Sequence, residues 1–333
     1  MTPPRFDPED PSRFDRPRRH TRPRTKDRPS YLDAVSGFVV TVDRGRFTVR
    51  ITAGDNPTVT AMKSRPLGRK GVVVGDRVRL VGDASGAPGS LARIVEVEPR
   101  ETVLRRTADD NDPVERIVVA NASQLVVVTA VADPEPRPRL IDRCLVAAYD
   151  AGLRPLLCLT KVDLADPETL LGIYRPLGVS YVVAERGGDL DGVRAVLRDE
   201  VSVLVGHSGV GKSTLVNALV PGAGRTTGHV NVVTGRGRHT STSAYALELT
   251  SGGWVVDTPG IRSFGLAHVD PRQVIKAFED LDDLTVDCPR GCAHGESEPE
   301  CALDDAIADG RVEAERVDSF RRLLSSRERS EDD

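Results

Sequence analysis

The feature that most constrains this chain is Gly206-His207-Ser208-Gly209-Val210-Gly211-Lys212-Ser213, a Gly-x-x-x-x-Gly-Lys-Ser loop. Its flanks stand in the order such a loop requires. Val201-Ser202-Val203-Leu204-Val205 reads as a short buried strand, and Thr214-Leu215-Val216-Asn217-Ala218-Leu219-Val220 as the helix that follows. A glycine-rich turn lets successive backbone N–H groups point at one phosphate, and the helix start adds positive potential. Residues Gly206 to Thr214 are therefore the candidate phosphate cradle. Within it, Lys212 is placed to reach the β- and γ-phosphates and Ser213 to offer its hydroxyl to Mg²⁺.

Two further loops end apolar strands. Asp257-Thr258-Pro259-Gly260 follows Trp254-Val255-Val256. There Asp257 would hold Mg²⁺, directly or through water, and the Gly260 N–H would meet a γ-phosphate. Thr160-Lys161-Val162-Asp163 follows Pro155–Thr160 and is similar to the Asn-Lys-x-Asp base-recognition motif. Its chemistry favours guanine, whose N1–H and N2 amine both donate to one carboxylate, here Asp163. Adenine presents a bare acceptor at N1 and would leave that carboxylate unpaired. Lys161 would lie along the base. Thr160 stands where the motif has Asn, so one amide contact is lost. Val182-Val183-Ala184 sits where a backbone N–H would meet guanine O6.

Around these loops the pattern divides the chain into four. Residues 1–33 are rich in Arg and Pro with few aliphatics, a tail that cannot offset its ordering entropy. Residues 34–105 carry short β-branched runs: 36–42 and 46–51 split by Asp43-Arg44-Gly45, then Val72-Val73-Val74, 77–81 and 91–97. Five short strands in so small a space predict an OB-like β-barrel, with Lys63, Arg65, Arg69 and Lys70 as a basic loop. Residues 106–268 alternate strand and helix: strands at Gln124–Ala130, 155–160, 181–183, 201–205 and 254–256, helices at 139–151 and around 193–197. Such alternation predicts a parallel sheet with helices on both faces, and ligands at the carboxyl ends of its strands. Residues 269–333 hold helical stretches at 271–282 and 311–325 around Cys288-x3-Cys292-x-His294-x6-Cys301. Three thiolates and one imidazole make a closed donor set, which predicts one structural zinc per chain. Cys144 and Cys158 lie in helix and strand patterns and read as buried bystanders.

Charge is uneven. Residues 1–105 carry 21 Lys+Arg against 13 Asp+Glu, whereas residues 106–333 carry 25 against 37. A basic first third on an acidic remainder points to a polyanionic partner. The five cysteines are an odd number with three crowded together, which argues against a disulfide framework and for a reducing cytoplasm. No apolar run is long enough for a bilayer, so no membrane is expected.

The order of the loops is unusual. The base motif at 160–163 precedes the phosphate loop at 206–213, so the sheet is circularly permuted. With a barrel before it and a Cys/His cluster after it, the chain resembles the RsgA (YjeQ) family over about residues 34–305. The fold class expected is thus α/β: a circularly permuted P-loop GTPase with an N-terminal OB-like β-barrel and a C-terminal helical zinc-binding module. The resemblance implies a monomeric GTPase that binds the small ribosomal subunit and its rRNA, and hydrolyses GTP to GDP with Mg²⁺ during late subunit maturation. It also implies that Gly235-Arg236-Gly237-Arg238-His239-Thr240-Ser241-Thr242 is a switch segment, with Thr240 or Thr242 on Mg²⁺ and the γ-phosphate. Ile261 follows Gly260 where many GTPases carry a water-orienting glutamine. Isoleucine cannot do that work, and His239, which titrates near neutrality, is the catalytic candidate. The rival reading is a non-ribosomal RNA-binding regulator that uses GTP as a switch with little catalysis.

Overall fold

A computed structural model describes residues 31, 33–52, 57–68, 71–106, 115–223, 244–258, 264, 266 and 269–326. Side chains alternate in and out along β1 (Val35–Asp43), β2 (Arg46–Ile51), β3 (Thr58–Lys63), β4 (Arg77–Gly82) and β5 (Ala92–Val97). Phe47, Val49 and Ile51 of β2, Val59 and Ala61 of β3, Val78 and Leu80 of β4, and Ala92 and Ile94 of β5 fill one interior. The strands run in the order β1-β2-β3-β5-β4, and β4 pairs back onto β1, so the barrel closes and leaves no free edge in the ring. Five strands were expected, but not these five. Val72-Val73-Val74 is not a strand; its place is taken by β3. The reason is Asp76. Its buried carboxylate accepts the Val73 N–H at 2.8 Å, while the Asp76 N–H donates to the Val73 carbonyl. Both backbone groups of Val73 are thus used in a turn and are lost to a ladder. Arg100 closes that turn with two hydrogen bonds to Asp76, at 2.7 and 2.9 Å.

The turn is also a joint. A hairpin of β6 (Val103–Arg106) and β7 (Arg116–Ala120) follows the barrel, and Val74 bridges to Val119. Gly75 has φ +90°, and a Cβ on it would collide with the Ala120 carbonyl oxygen. Asn121 donates its side-chain amide to the Gly75 carbonyl at 2.9 Å and accepts the Glu101 N–H at 2.8 Å.

Next comes a run of alternating elements: β8 (Gln124–Ala130), α1 (Pro138–Asp150), β9 (Arg154–Thr160), α2 (Glu168–Tyr174), β10 (Ser180–Ala184), α3 (Asp191–Leu197), β11 (Val201–Val205) and α4 (Lys212–Leu219). The hairpin β12 (Tyr245–Glu248) and β13 (Trp254–Asp257) completes the sheet. The spatial order is β10-β9-β8-β11-β13-β12, parallel except for β12, which runs antiparallel to β13. Period-two alternation sorts the side chains. Leu125, Val127, Leu157, Leu159, Val203 and Val205 face α1 and α2; Val126, Val128, Leu156, Cys158 and Leu204 face α3 and α4. Both bystander cysteines are buried as expected.

Barrel and sheet meet edge to edge. β1 pairs antiparallel with β12 at Thr41 and Tyr245, Phe38 stacks on Trp254 with centroids 4.8 Å apart, and Arg50 pairs with Glu248 at 3.1 Å. The C-terminal helices are α5 (Pro271–Val274), α6 (Glu279–Asp282), α7 (Ala302–Ala308) and α8 (Ala314–Ser325), of which α5 and α8 pack against α1. The stretch 271–282 breaks at Phe278, whose ring packs against Tyr149 and Phe320. Arg321 and Arg322 are struts within this layer. Arg321 pairs with Asp304 at 2.7 Å; Arg322 pairs with Asp142 at 3.4 Å and lies over Tyr174.

Gly75→Ala should destabilise the protein by more than about 2 kcal/mol, since left-handed strain and the collision with Ala120 add. Gly89→Ala, at φ +88° with nothing nearby, should cost only about 1 kcal/mol. Thermal unfolding of the two variants checks the difference.

Candidate nucleotide site and metal centre

The sheet brings the three loops to one edge, at the carboxyl ends of neighbouring strands. β11 lies between β8 and β13, and β8 lies beside β9, so the loops after β9, β11 and β13 share a rim. The phosphate loop is pressed onto β8. Gly206 has φ +152°, and a Cβ there would collide with the Val128 carbonyl oxygen. Gly211, at φ +93°, caps α4 without a side-chain bond, and the first turn of α4 has no acidic residue. Lys212, Ser213 and Thr214 form that turn, so its backbone N–H groups and the Lys212 ammonium make it a place for an anion.

His207 turns its Nδ1 to the Ser208 carbonyl at 2.9 Å. Burial, reinforced by the positive charges of Arg137 and Lys161, holds its imidazole below the ordinary histidine range.

Thr160 joins two loops. Its buried hydroxyl donates to the Val210 carbonyl at 2.6 Å, and the Thr129 carbonyl lies 3.3 Å away. The residue expected to lose a contact therefore anchors the base loop on the phosphate loop. Lys161, at φ +56°, reaches back to the Asp133 carbonyl. Asp163 is exposed on the turn that the Leu164 N–H closes onto the Lys161 carbonyl at 2.9 Å. Ala184 is the register partner of Thr160 across β9 and β10, so the end of β10 stands beside this motif.

Asp257 ends β13 with its carboxylate fully buried. The Lys212 ammonium lies 3.1 Å from Oδ1, and the Tyr245 hydroxyl donates to Oδ2 at 2.8 Å. Tyr245 escapes a reading of the sequence. Its signal is a register, Tyr245 opposite Asp257 in the β12–β13 hairpin, which exists only once the sheet forms. Thr258 donates its hydroxyl to the Leu204 carbonyl at 3.2 Å, tying this loop to β11. His239, Thr240, Thr242, Gly260 and Ile261 lie outside the described residues.

The second site is at the far end of the chain. Cys288, Cys292, His294 and Cys301 offer ligand atoms that all lie within 4.8 Å of one another, a set that could hold a metal ion. The three sulfurs stand 3.6, 3.5 and 3.9 Å from His294 Nδ1. A tetrahedral zinc would space its sulfur and nitrogen ligands by about 3.6 Å, so the set has the right size. Cys301 is the residue before α7, and the Ala302 N–H donates to Cys288 Sγ at 3.3 Å. Burial first, then the neighbouring thiols, push the Cys292 thiol up to about 12. A cation would offset that cost by supplying positive charge to the thiolates.

Comparison with known proteins identifies the family. The family model described as RsgA GTPase matches residues 97–267. Proteins named small ribosomal subunit biogenesis GTPase RsgA are similar. The one from Ectopseudomonas mendocina is 46% identical over 218 residues, and the match spans 63% of each chain. The one from Pseudomonas aeruginosa strain PAO1 is 44% identical over 242 residues and 70% of each chain. Among solved structures, YjeQ from Thermotoga maritima superposes with a TM-score of 0.65 at 26% identity, covering 88% of this chain and 98% of its own. YloQ, titled a circularly permuted GTPase, has the same TM-score at 22% identity, and shares the fold. The permuted loop order read from residues 160–163 and 206–213 agrees with the description of YloQ as a circularly permuted GTPase, and the chain belongs to the RsgA GTPase family.

Proposed function

We propose that this protein binds GTP at the rim after β9, β11 and β13, hydrolyses it to GDP, and does so on the small ribosomal subunit during its maturation. The observation that carries the reading is the Thr160 hydroxyl on the Val210 carbonyl, because it fastens a base loop to a phosphate loop in one pocket. Gly206 to Thr214 cradle the phosphates, Lys212 leaves Asp257 for the phosphate oxygens, and Asp163 reads guanine's two donors. Ser213 and Asp257 would hold Mg²⁺, which when bound would neutralise charge developing on the phosphates. Thr240 or Thr242 and the Gly260 N–H complete that shell, and His239 orients the attacking water that Ile261 cannot.

The subunit enters through the names of the relatives, small ribosomal subunit biogenesis GTPase RsgA. The excess of Lys and Arg in residues 1–105 supports rRNA as the surface engaged. The domains are the tail 1–33, the barrel 34–105, the GTPase 106–268 and the helical module 269–333. The protein works as a cytoplasmic monomer; among the described residues no helix is long and apolar enough to cross a membrane. Cys288, Cys292, His294 and Cys301 hold zinc, for which a closed Cys₃His set of this size is suited.

Turnover of GTP by the isolated protein should be slow and should rise by at least about tenfold with purified small subunits. No rise would favour the rival, a GTP switch with little catalysis. Thr160→Val keeps the shape but leaves the Val210 carbonyl unpaired, at a cost of about 1–3 kcal/mol. GTP and GDP affinities should fall alike, by roughly tenfold, with guanine still preferred over adenine in calorimetric titration. Metal analysis of freshly purified, reduced protein should find about one zinc per chain, and Cys292→Ser should lose it together with several degrees of thermal stability.

A further inference from the structure

The two oxygens of Asp257 face different elements. Lys212 of α4 faces Oδ1 at 3.1 Å; Tyr245 of β12 donates to Oδ2 at 2.8 Å. The two donors differ in what holds them. Lys212 sits on a long flexible stem at the start of a helix, and its ammonium is the group that phosphates compete for. Tyr245 sits on a strand whose backbone is paired on both sides: with Asp257 itself across β13, and with Thr41 of the barrel across β1. Its ring therefore stays where it is whether or not phosphates draw Lys212 away.

We infer that Tyr245 is a positioning residue for Asp257: its hydroxyl pins Oδ2, so that Oδ1, on the side of α4, is the oxygen presented to Mg²⁺ beside Ser213. This rests on the reading of Asp257 as a group that holds Mg²⁺. Without the hydroxyl, once phosphates have drawn Lys212 away, neither of these two donors distinguishes the oxygens, and binding the ion must first order the carboxylate. With the hydroxyl the ordering is done in the empty site, and the ion finds one oxygen already turned toward it. The same register makes the barrel part of this arrangement, since the strand that carries Tyr245 is the one to which β1 is bonded.

The test uses the full chain without subunits. Release of a fluorescent GDP analogue is followed by stopped flow while Mg²⁺ is varied, and its affinity is measured separately in EDTA. Tyr245→Phe keeps the ring and the strand and removes one oxygen. It should raise the Mg²⁺ concentration for half-maximal retention by roughly three- to tenfold, the range for one hydrogen bond to a charged group shared with ordering of that group. Its affinity in EDTA should stay as in the parent, while its thermal midpoint should fall by a few degrees, because a buried carboxylate loses one hydrogen bond. Asp257→Asn should raise the Mg²⁺ requirement further, and Tyr245→Phe added to it should change nothing more, which is the signature of a residue acting through Asp257. If Tyr245→Phe leaves the Mg²⁺ midpoint unmoved while Asp257→Asn raises it, the inference is wrong and the reading of Asp257 stands. An equal loss of affinity in EDTA and in Mg²⁺ would also overturn it, by showing that the hydroxyl serves the fold or the nucleotide. If Asp257→Asn itself leaves the midpoint in place, the reading of Asp257 fails and takes the inference with it.

Discussion

The buried carboxylate of Asp257 is the constraint from which much of this structure follows. A charge taken out of water costs several kcal/mol unless it is paired and hydrogen-bonded. Here the partners come from two directions, Lys212 from the first turn of α4 and Tyr245 from β12. Satisfying the one carboxylate thus requires the phosphate-loop helix and the edge hairpin to arrive together. The barrel is attached to that same hairpin through Thr41, Phe38 and Arg50. A body that would otherwise hang on the 100–120 segment is held at the strand leading into Asp257.

The other coupling runs through Arg143. This buried residue of α1 donates to the Phe264 carbonyl at 2.7 Å and to the Ser326 carbonyl at 2.9 Å. Phe264 lies seven residues past Asp257, and Ser326 caps α8. The chain leaving the third loop is therefore tied by one guanidinium to both the sheet layer and the last helix. Beside it, burial raises the Asp142 carboxyl above the usual range although Arg322 opposes the shift. Arg143 and Arg322 thus both serve to dock α8.

What was legible in the residues is what chemistry makes local. β8 and β11 lie where their apolar runs put them, because strands buried on both faces have little freedom in composition. The Cys288, Cys292, His294 and Cys301 cluster was legible because its ligands fall within a short stretch. β3 was hidden: Thr58, Thr60 and Ala61 are weakly marked, while Val72-Val73-Val74 looks more like a strand and is turned aside by Asp76. α7 was missed because it follows Cys301 in a stretch read for its ligands. Thr160 and Tyr245 show the harder limit. Thr160 was recognisable as a departure from a motif, but that its hydroxyl would find Val210 depends on how closely two strands' loops approach. Tyr245 carries no motif; it matters because of the strand facing it.

The pairing of Thr41 with Tyr245 also bears on how the chain comes to be folded. The partners are about 200 residues apart in sequence, a long-range contact of the kind that slows folding. At a synthesis rate of about 5–20 residues per second, the barrel, complete after β5, waits roughly seven to thirty seconds for the strand it docks on. β8 waits too, since its neighbour β11 comes only after β9 and β10 have been made. For that interval the nascent chain carries an open apolar strand edge at residues 124–130 and an uncovered Phe38, surfaces that invite misassembly and chaperone binding. Permutation thus leaves its mark on the order of assembly: the barrel and the base loop come first, the phosphate loop follows β11, and the β12–β13 hairpin closes the sheet onto the barrel.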